Sequence, residues 1–433
     1  QGRRMERAHF GDGARELASI ATGEGVDSPH PKPILLPQST TEALLTARLG
    51  ALGGAIERGR ELVALRQDAD GVTATLRHGD GGEEQVRARY LVGCDGARSA
   101  VRHALDVEFA GHTEPETFLL CDARIEGTLD PDGIHIWWRD GGTIALFPVV
   151  GDVWRLFAAR ASADDTPPTL AEMQDHLTRH GPPGLTLRDP TWLAAFRIND
   201  RIAARYRVGR CFLAGDAAHI HSPAGGQGMN TGLQDGVNLG WKLAYALQGA
   251  GDPEMLLSSY EPERRPIAVD VVHFATRMLH FGFAKAPLLR MAKDIVLPLV
   301  THIPAVRRQM MTTLSETANT YREGPLVALG GGGERAPDVA LEDGSRLYPR
   351  LCGPCHTLLT FGDVAVPPAL VGKSLAVVAL PATGAAARRY GMARPGWVLI
   401  RPDQIIAARG AADEFLMLET YAQHVLPGAR IPV

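Results

Sequence analysis

Hydrophobic positions along this chain change their spacing several times, and each change marks a different kind of element. Leu44, Leu45, Leu49 and Leu52 recur at helical intervals. Gln38-Ser-Thr-Thr-Glu42 ahead of them has the Ser/Thr-then-Glu pattern that caps a helix start. Residues 72–76 alternate apolar with polar and residues 86–92 end in an apolar run, so both read as strands, with turns at Gly71 and at 79–82. Residues 34–107 are therefore expected to belong to a mixed α/β unit. Residues 117–160 contain only strand-type runs, at 118–125, 134–138, 143–149 and 154–159, separated by Gly-Asp or Asp-Gly turns. That pattern predicts an antiparallel sheet inserted into the α/β unit.

A Pro-led helical segment at 167–180 follows, and 197–210 leads back to the α/β unit. Helical spacing then dominates 229–325, in runs at 233–248, 253–260 and from Pro266 past Met310. The Gly330-Gly-Gly-Gly333 run reads as a linker. Beyond it, strands at 356–361, 374–380, 396–401 and 404–408 suggest a small separate α/β domain. No internal repeat is visible.

Composition narrows the function classes. The 433 residues suffice for two or three domains, 45% of them are apolar, and the net charge of −4 argues against a nucleic-acid binder. No apolar run is long enough to span a bilayer; the best, near Ile295, follows Lys293 and Asp294. No signal-peptide pattern is visible. The five Cys (94, 121, 211, 352, 355) stand mostly in apolar strands, which points to a reducing, cytoplasmic setting.

The densest chemistry lies in Val208 to Gly232. A short apolar strand at 211–214 delivers Asp216, a glycine-rich turn spans 225–228, and a helix starts near Met229. A carboxylate beside the free N–H groups of a helix start suits a cofactor with sugar hydroxyls and an electron-rich ring, namely FAD. Asp216 would accept from ribityl hydroxyls, and the N–H groups of Gly228, Met229 and Asn230 would stabilise negative charge on the reduced flavin. The competing reading is an ordinary Gly-rich loop with Asp216 as a helix cap. A metal site at Asp216, His219 and His221 is disfavoured, because the two His lack zincin spacing and no further ligand is near in sequence. No metal is expected. A second motif, Tyr90 to Arg102, ends an apolar strand at Gly93, turns at Asp95-Gly96 and opens a helix near Ser99. Asp95 and Arg98 thus sit where dinucleotides commonly bind, or form a plain surface pair.

In this order the two motifs resemble the aromatic-hydroxylase class of flavoprotein monooxygenases, the para-hydroxybenzoate hydroxylase family. The resemblance implies that Asp95-Gly96 and Arg98 help bind FAD and the nicotinamide cofactor, and that Gly215-Asp216 meets the ribityl region. It implies that Pro223, Gly226, Gly228, Met229 and Asn230 lie along the isoalloxazine. Gln38 matches a glutamine near the flavin, and Leu62, placed at the end of the next strand, a position near the adenine. Residues 192–201 also fit, and the tail after Gly333 resembles the thioredoxin-like domain of the phenol- and polyketide-hydroxylase branch.

The implied fold class is α/β: a Rossmann-like FAD-binding domain (1–115 and 196–250), an inserted substrate sheet (116–195), a helical segment (251–329) and a thioredoxin-like domain (330–433). Family members open with strand, Gly-x-Gly-x-x-Gly and helix. Gly11-Asp-Gly13 does not match that element, so the sequence as given is expected to be N-terminally incomplete.

The implied activity is NAD(P)H-dependent hydroxylation of a phenolic or polycyclic aromatic, polyketide-type substrate by O2, through a hydroperoxyflavin. The Arg-rich, Lys-poor composition (five Lys) accords with the polyketide branch, and a rifamycin-type substrate is equally compatible. No protein acid or base is assigned as catalytic. His135, Trp137, Phe147 and Pro148 of the inserted sheet are candidates for the substrate wall, against a role in ordinary core packing. A homodimer is compatible with this reading. The alternative is a thiol oxidoreductase or a non-catalytic interaction protein using the C-terminal thioredoxin-like domain, which carries Cys352-Gly-Pro-Cys355. That tetrapeptide precedes a strand, however, whereas a reactive CxxC opens a helix.

Overall fold

The computed structural model describes residues 2–160, 162–282, 295–296, 298–299, 301–351, 353–370 and 374–427. Strands β1 (Arg3–Arg4), β2 (Arg7–Asp12), β3 (Arg15–Ala21) and β4 (Ile34–Leu35) lead to helix α1 (Gln38–Ala51). A meander follows in β5 (Arg60–Gln67), β6 (Val72–His78) and β7 (Glu83–Ala88), then β8 (Leu91–Gly93) and α2 (Ala100–Ala104). Next come β9 (Phe109–Glu126), β10 (Gly133–Arg139), β11 (Gly142–Pro148), β12 (Val153–Arg160), α3 (Leu170–His180) and β13 (Thr186–Ala203). The short strands β14 (Arg207–Val208), β15 (Cys211–Leu213) and β16 (His219–Ile220) precede helices α4 (Gly228–Leu247), α5 (Pro253–Ser258), α6 (Tyr260–Gly282), α7 (Pro304–Leu314) and α8 (Pro325–Gly330). The C-terminal part carries β17 (His356–Phe361), β18 (Leu375–Leu380), β19 (Gly396–Ile400) and β20 (Ile406–Ala411). The fold is thus α/β, with mixed and antiparallel sheets.

The largest sheet has eight strands in the order β16-β13-β9-β12-β11-β10-β2-β3. Its antiparallel centre is the inserted sheet read from the sequence. Four members are not: β13 and β16, not read as strands, add to one edge, and Arg7–Ala21, grouped by sequence with the first α/β part, extends the other, with β2 parallel to β10. Gly11 makes that seam possible, because a Cβ there would stand 2.0 Å from the Trp137 ring. Strand pleating gives the sheet two different faces. One carries Leu119, Cys121, Ile144, Leu146, Trp154 and Leu156 and is covered by Met173 and Leu177 of α3, whose N-terminus Thr169 caps. The other carries Phe118, Phe157, Phe196 and Ile198 and meets Leu279 of α6 and Ala224.

Three local expectations are corrected. Helix α1 forms, but Pro37 occupies its cap without a side-chain bond, Gln38 donates to Glu42 instead (3.0 Å), and none of its residues is buried. Residues 86–92 divide between two sheets, because β7 pairs with β6 whereas β8 pairs with β15. The Gly330–Gly333 run is a packed seam and not a linker. Gly333 N donates to Ile406 O (2.9 Å) and its carbonyl accepts from Tyr321 N (2.9 Å). A Cβ on Gly330 or Gly332 would come within 2.1 Å of the Ala407 or Ile406 carbonyl.

The C-terminal strands form one mixed sheet, β18-β17-β19-β20, at the residues read as strands. Cys355 directly precedes β17, so the CxxC does not open a helix; Cys352 lies outside the described residues. No described helix is long and apolar enough to cross a membrane. The short apolar run near Ile295, like the middle of the 266–310 run, falls partly outside the described residues.

Candidate functional site

The two sequence motifs meet because β8 and β15 are parallel neighbours, with Leu91, Val92 and Gly93 opposite Cys211, Phe212 and Leu213. Ala214 N donates to Gly93 O (3.0 Å), so the pairing continues to the carboxyl ends of both strands. The Asp95-Gly96 and Gly215-Asp216 turns therefore leave the same sheet edge side by side, the usual ligand edge of a parallel sheet. Gly93 permits close packing of the first turn's helix, since a Cβ there would lie 2.7 Å from Val101.

Asp95 is drawn into the first turn itself. Its carboxylate accepts from the Ser99 hydroxyl (2.5 Å) and from Val101 N (3.1 Å), while Ser99 caps Arg102 N (2.9 Å). Arg98 is exposed. The residue that joins the motifs is Arg102, which the sequence reading did not single out. It is buried, donates to Ala97 O (2.7 Å) and Ala217 O (2.9 Å), and lies 3.9 Å over the Phe109 ring.

The second turn is held from beneath. Gly215 adopts φ +58°, and its N–H donates to Asp235 of α4 (3.1 Å). Asp235 also bonds His219 Nε2 (2.7 Å) and accepts from Arg264 Nε of α6 (2.8 Å). Burial opposes its ionisation, but the His219 hydrogen bond and the Arg264 charge outweigh burial and keep its pKa below the ordinary value. Tyr260 donates to Leu213 O (2.8 Å), fixing the end of β15. His219 is thereby committed to Asp235, away from any metal set with Asp216. Asp216 itself is exposed and accepts no hydrogen bond among the described residues, so it is not spent as a cap.

The glycine-rich turn closes with Gly226 N donating to Pro223 O (2.9 Å), and Gly225 and Gly226 take φ +99° and +67°. Helix α4 then begins at Gly228 with Gln227 as an N-cap that makes no side-chain bond and with no acidic residue in its first turn. Its leading N–H groups are thus free of side-chain caps, with Pro223, Gly226, Met229 and Asn230 exposed and Gly228 half-buried beside them. Two buried acceptors with no partner among the described residues flank this start: His221 Nε2 and Gln227 Oε1. His221 Nδ1 donates to Ser222 O (2.7 Å), which leaves Nε2 as the acceptor, and burial lowers the imidazole pKa so that it is neutral. Gln227 uses its amide group on Thr313 O (2.9 Å). Free N–H groups for a charge-accumulating ring, together with unspent acceptors for hydroxyl or ring N–H donors, fit a flavin.

Of the other residues read from the sequence, Gln38 opens the exposed α1. Leu62 lies near the start of β5, not at its end, half-buried opposite Leu76. The substrate-wall candidates separate by pleat. His135, Trp137 and Pro148 share the α3-covered face with Leu146 and Ile144, to which the first two pair directly. His135 stacks on His9 (4.6 Å) and Trp137 is core. Phe147 alternates to the opposite face, the one that reaches Ala224 of the glycine-rich turn. The aromatic wall on that face is Phe118, Phe157 and Phe196, with ring centroids 5.2–6.4 Å apart. Asp200 ties this wall to the turn by accepting from Ser222 N (2.8 Å) and from the Thr276 hydroxyl (2.5 Å). His112, Glu114 and Asp200 bring ligand-type atoms within 4.8 Å of one another, but His112 is exposed and both Asp200 oxygens are already engaged.

Comparison with known proteins points to the same cofactor. Residues 4–275 match the family described as FAD binding domain. A flavin-dependent monooxygenase of Mycobacteroides abscessus is 39% identical, over 80% of this chain and 70% of its own. The rifampicin monooxygenase of Streptomyces venezuelae is 38% identical, over 80% and 72% respectively. The structure of the anhydrotetracycline hydroxylase OxyS from Streptomyces rimosus superposes with a TM-score of 0.77 at 32% identity, covering 98% of this chain and 86% of that one.

Proposed function

The chain belongs to the FAD-binding-domain family of flavin-dependent monooxygenases acting on aromatic compounds, and from that premise we propose that it hydroxylates a polycyclic, polyketide-type or phenolic ring with NAD(P)H as electron donor. The balanced reaction is Ar–H + O2 + NAD(P)H + H+ → Ar–OH + NAD(P)+ + H2O. The observation that carries this reading is the pair of turns on β8 and β15 beside an uncapped α4 start with two unspent buried acceptors.

Bound FAD supplies the two-electron chemistry that activates O2. The protein's own residues position and shield. Asp216 would accept from a ribityl hydroxyl, and the first N–H groups of α4 would offset negative charge on the ring. His221 Nε2 and Gln227 Oε1 would accept from further donors of the bound group. Asp95 orders its turn through Ser99, leaving exposed Arg98 to meet the nicotinamide or phosphate groups. Phe118, Phe157 and Phe196, with Phe147 on the same face, form the apolar wall that orients the ring and excludes water. The rifampicin and anhydrotetracycline named for the relatives favour a polycyclic substrate over a small phenol.

The test is direct. The full-length protein should carry a chromophore absorbing at roughly 450 nm, oxidise NAD(P)H slowly alone, and do so faster with a polycyclic phenol while forming one hydroxylated product. A protein that takes up no flavin would overturn the reading. NAD(P)H oxidation indifferent to every aromatic offered would remove the hydroxylase assignment but not FAD binding.

A further inference from the structure

The C-terminal sheet sends one arginine into the middle of the helical layer that supports the Gly215–Ala217 turn. Arg401, at the end of β19, is 2% exposed. It donates two parallel bonds to Glu263 of α6 (2.8 and 2.7 Å) and two to its neighbour Asp403 (3.0 and 2.6 Å). Glu263 also accepts from Lys242 Nζ (2.7 Å) and Asn238 Nδ2 (2.8 Å), both on α4. The residue after Glu263 is Arg264, which holds Asp235, which in turn holds the Gly215 N–H.

Three cations (Lys242, Arg264, Arg401) and three anions (Asp235, Glu263, Asp403) are thus buried together and balance. Burial alone would raise the Glu263 pKa, but the charges of Arg401 and Lys242 bring it down to about 2, so the carboxylate is ionised. Such a cluster is rigid because a buried charge stripped of its partner is costly. Removing Arg401 leaves two buried carboxylates with Lys242 as their one adjacent cation and only the neutral Asn238 amide beside it, and α6 and α4 must shift to readmit solvent. The shift reaches the flavin turn through the adjacent Arg264–Asp235 pair, a contiguous chain of bonds.

We propose that Arg401 is a positioning residue for the flavin turn, acting through Glu263, Arg264 and Asp235, so that the C-terminal sheet is a structural part of the FAD site. The inference rests on the flavin reading of that turn for its functional consequence, but its mechanical part does not.

Two measurements on the full chain test it: FAD dissociation constants from fluorescence titration, and amide hydrogen exchange in peptides spanning 208–222 of the flavin-free protein. Arg401→Met should weaken FAD tenfold or more and speed exchange across 208–222 at least tenfold, with Arg401→Lys recovering part of both. Arg346→Met, which breaks the Arg346–Asp338 pair in the same C-terminal part, should change neither. Unchanged exchange and affinity in Arg401→Met would overturn the proposal, as would an equal response to Arg346→Met. Faster exchange in Arg401→Met than in wild type, with neither protein binding flavin, would uphold the brace and reject the flavin reading.

Discussion

Arg102 donates a 2.9 Å hydrogen bond to the carbonyl of Ala217, 115 positions away, and so fastens the helix after Asp95-Gly96 to the turn that carries Asp216. Replacing it by Met leaves the Ala97 and Ala217 carbonyls without their donor and removes the guanidinium over Phe109. Arg102→Met should cost about 2–4 kcal/mol of stability, from unpaired buried groups. Flavin affinity should fall with it. Chemical denaturation and flavin titration read the two effects.

Asp216 offers the opposite case. It is exposed and accepts no bond within the described residues, so Asp216→Ala should change stability by no more than about 0.5 kcal/mol. FAD affinity should nevertheless drop roughly 10- to 100-fold, the worth of one hydrogen bond to a charged acceptor. Retained affinity would remove Asp216 from the site.

Two glycines of α4 separate contact from propensity. A Cβ on Gly232 would stand 3.2 Å from the Gly215 Cα, whereas Gly236 has nothing within 4 Å. Gly236→Ala should stabilise the helix by about 1 kcal/mol. Gly232→Ala should destabilise by about 1–3 kcal/mol, because the helix must back away from the turn. Thermal melts of the two variants should move in opposite directions.

Glu316 is buried under the second turn of α4, where it accepts from the Thr231 hydroxyl (3.1 Å) and the Gln234 amide (2.7 Å). Burial pushes its pKa up to about 7 despite those bonds. The folded state therefore holds this proton more tightly than the unfolded state does. Glu316 costs nothing below the unfolded pKa near 4.5, and its penalty grows as pH rises from there to about 7 and then levels at about 3 kcal/mol. Glu316→Gln should remove that slope, so the variant gains stability relative to wild type at pH 8 but not at pH 4. Denaturation at the two pH values checks it.

The faces of the large sheet should respond differently to truncation. Trp137→Ala should cost about 3–5 kcal/mol of stability and leave substrate affinity of the folded fraction unchanged. Phe196→Ala, half-buried on the face toward Ala224, should cost less and alter KM for the aromatic substrate.

Much of the candidate site was legible because its signals are local. An apolar strand, a turn with a carboxylate and a helix start occupy residues 91–100 around Asp95 and 211–228 around Asp216, and the structure places both turns together. What was illegible depends on distant partners. Alternation put His135, Trp137 and Phe147 on a sheet, but which face is covered is decided by packing of α3 (Leu170–His180), a separate element later in the chain. Arg7–Asp12 pairs in parallel with a strand over 120 residues later, which no local pattern encodes. Asp235, Lys242 and Arg264 were passed over, although charged residues on otherwise apolar helical positions were the available clue to buried pairs. The four-glycine run misled because extreme glycine content has two physical origins, freedom and close backbone approach, and only the partner strand at Ile406 and Ala407 distinguishes them.

That glycine seam also limits how the gene can be re-engineered. A protease site, affinity tag or circular-permutation break placed at 331–332 would land between Tyr321 and β20, where three backbone segments already touch, and should give insoluble product. The open hairpin tip at Gly81, with nothing within 4 Å, is the place to cut or insert. For anyone building a split or sensor version of this enzyme, the stretch that looks most like a hinge is the one to leave alone.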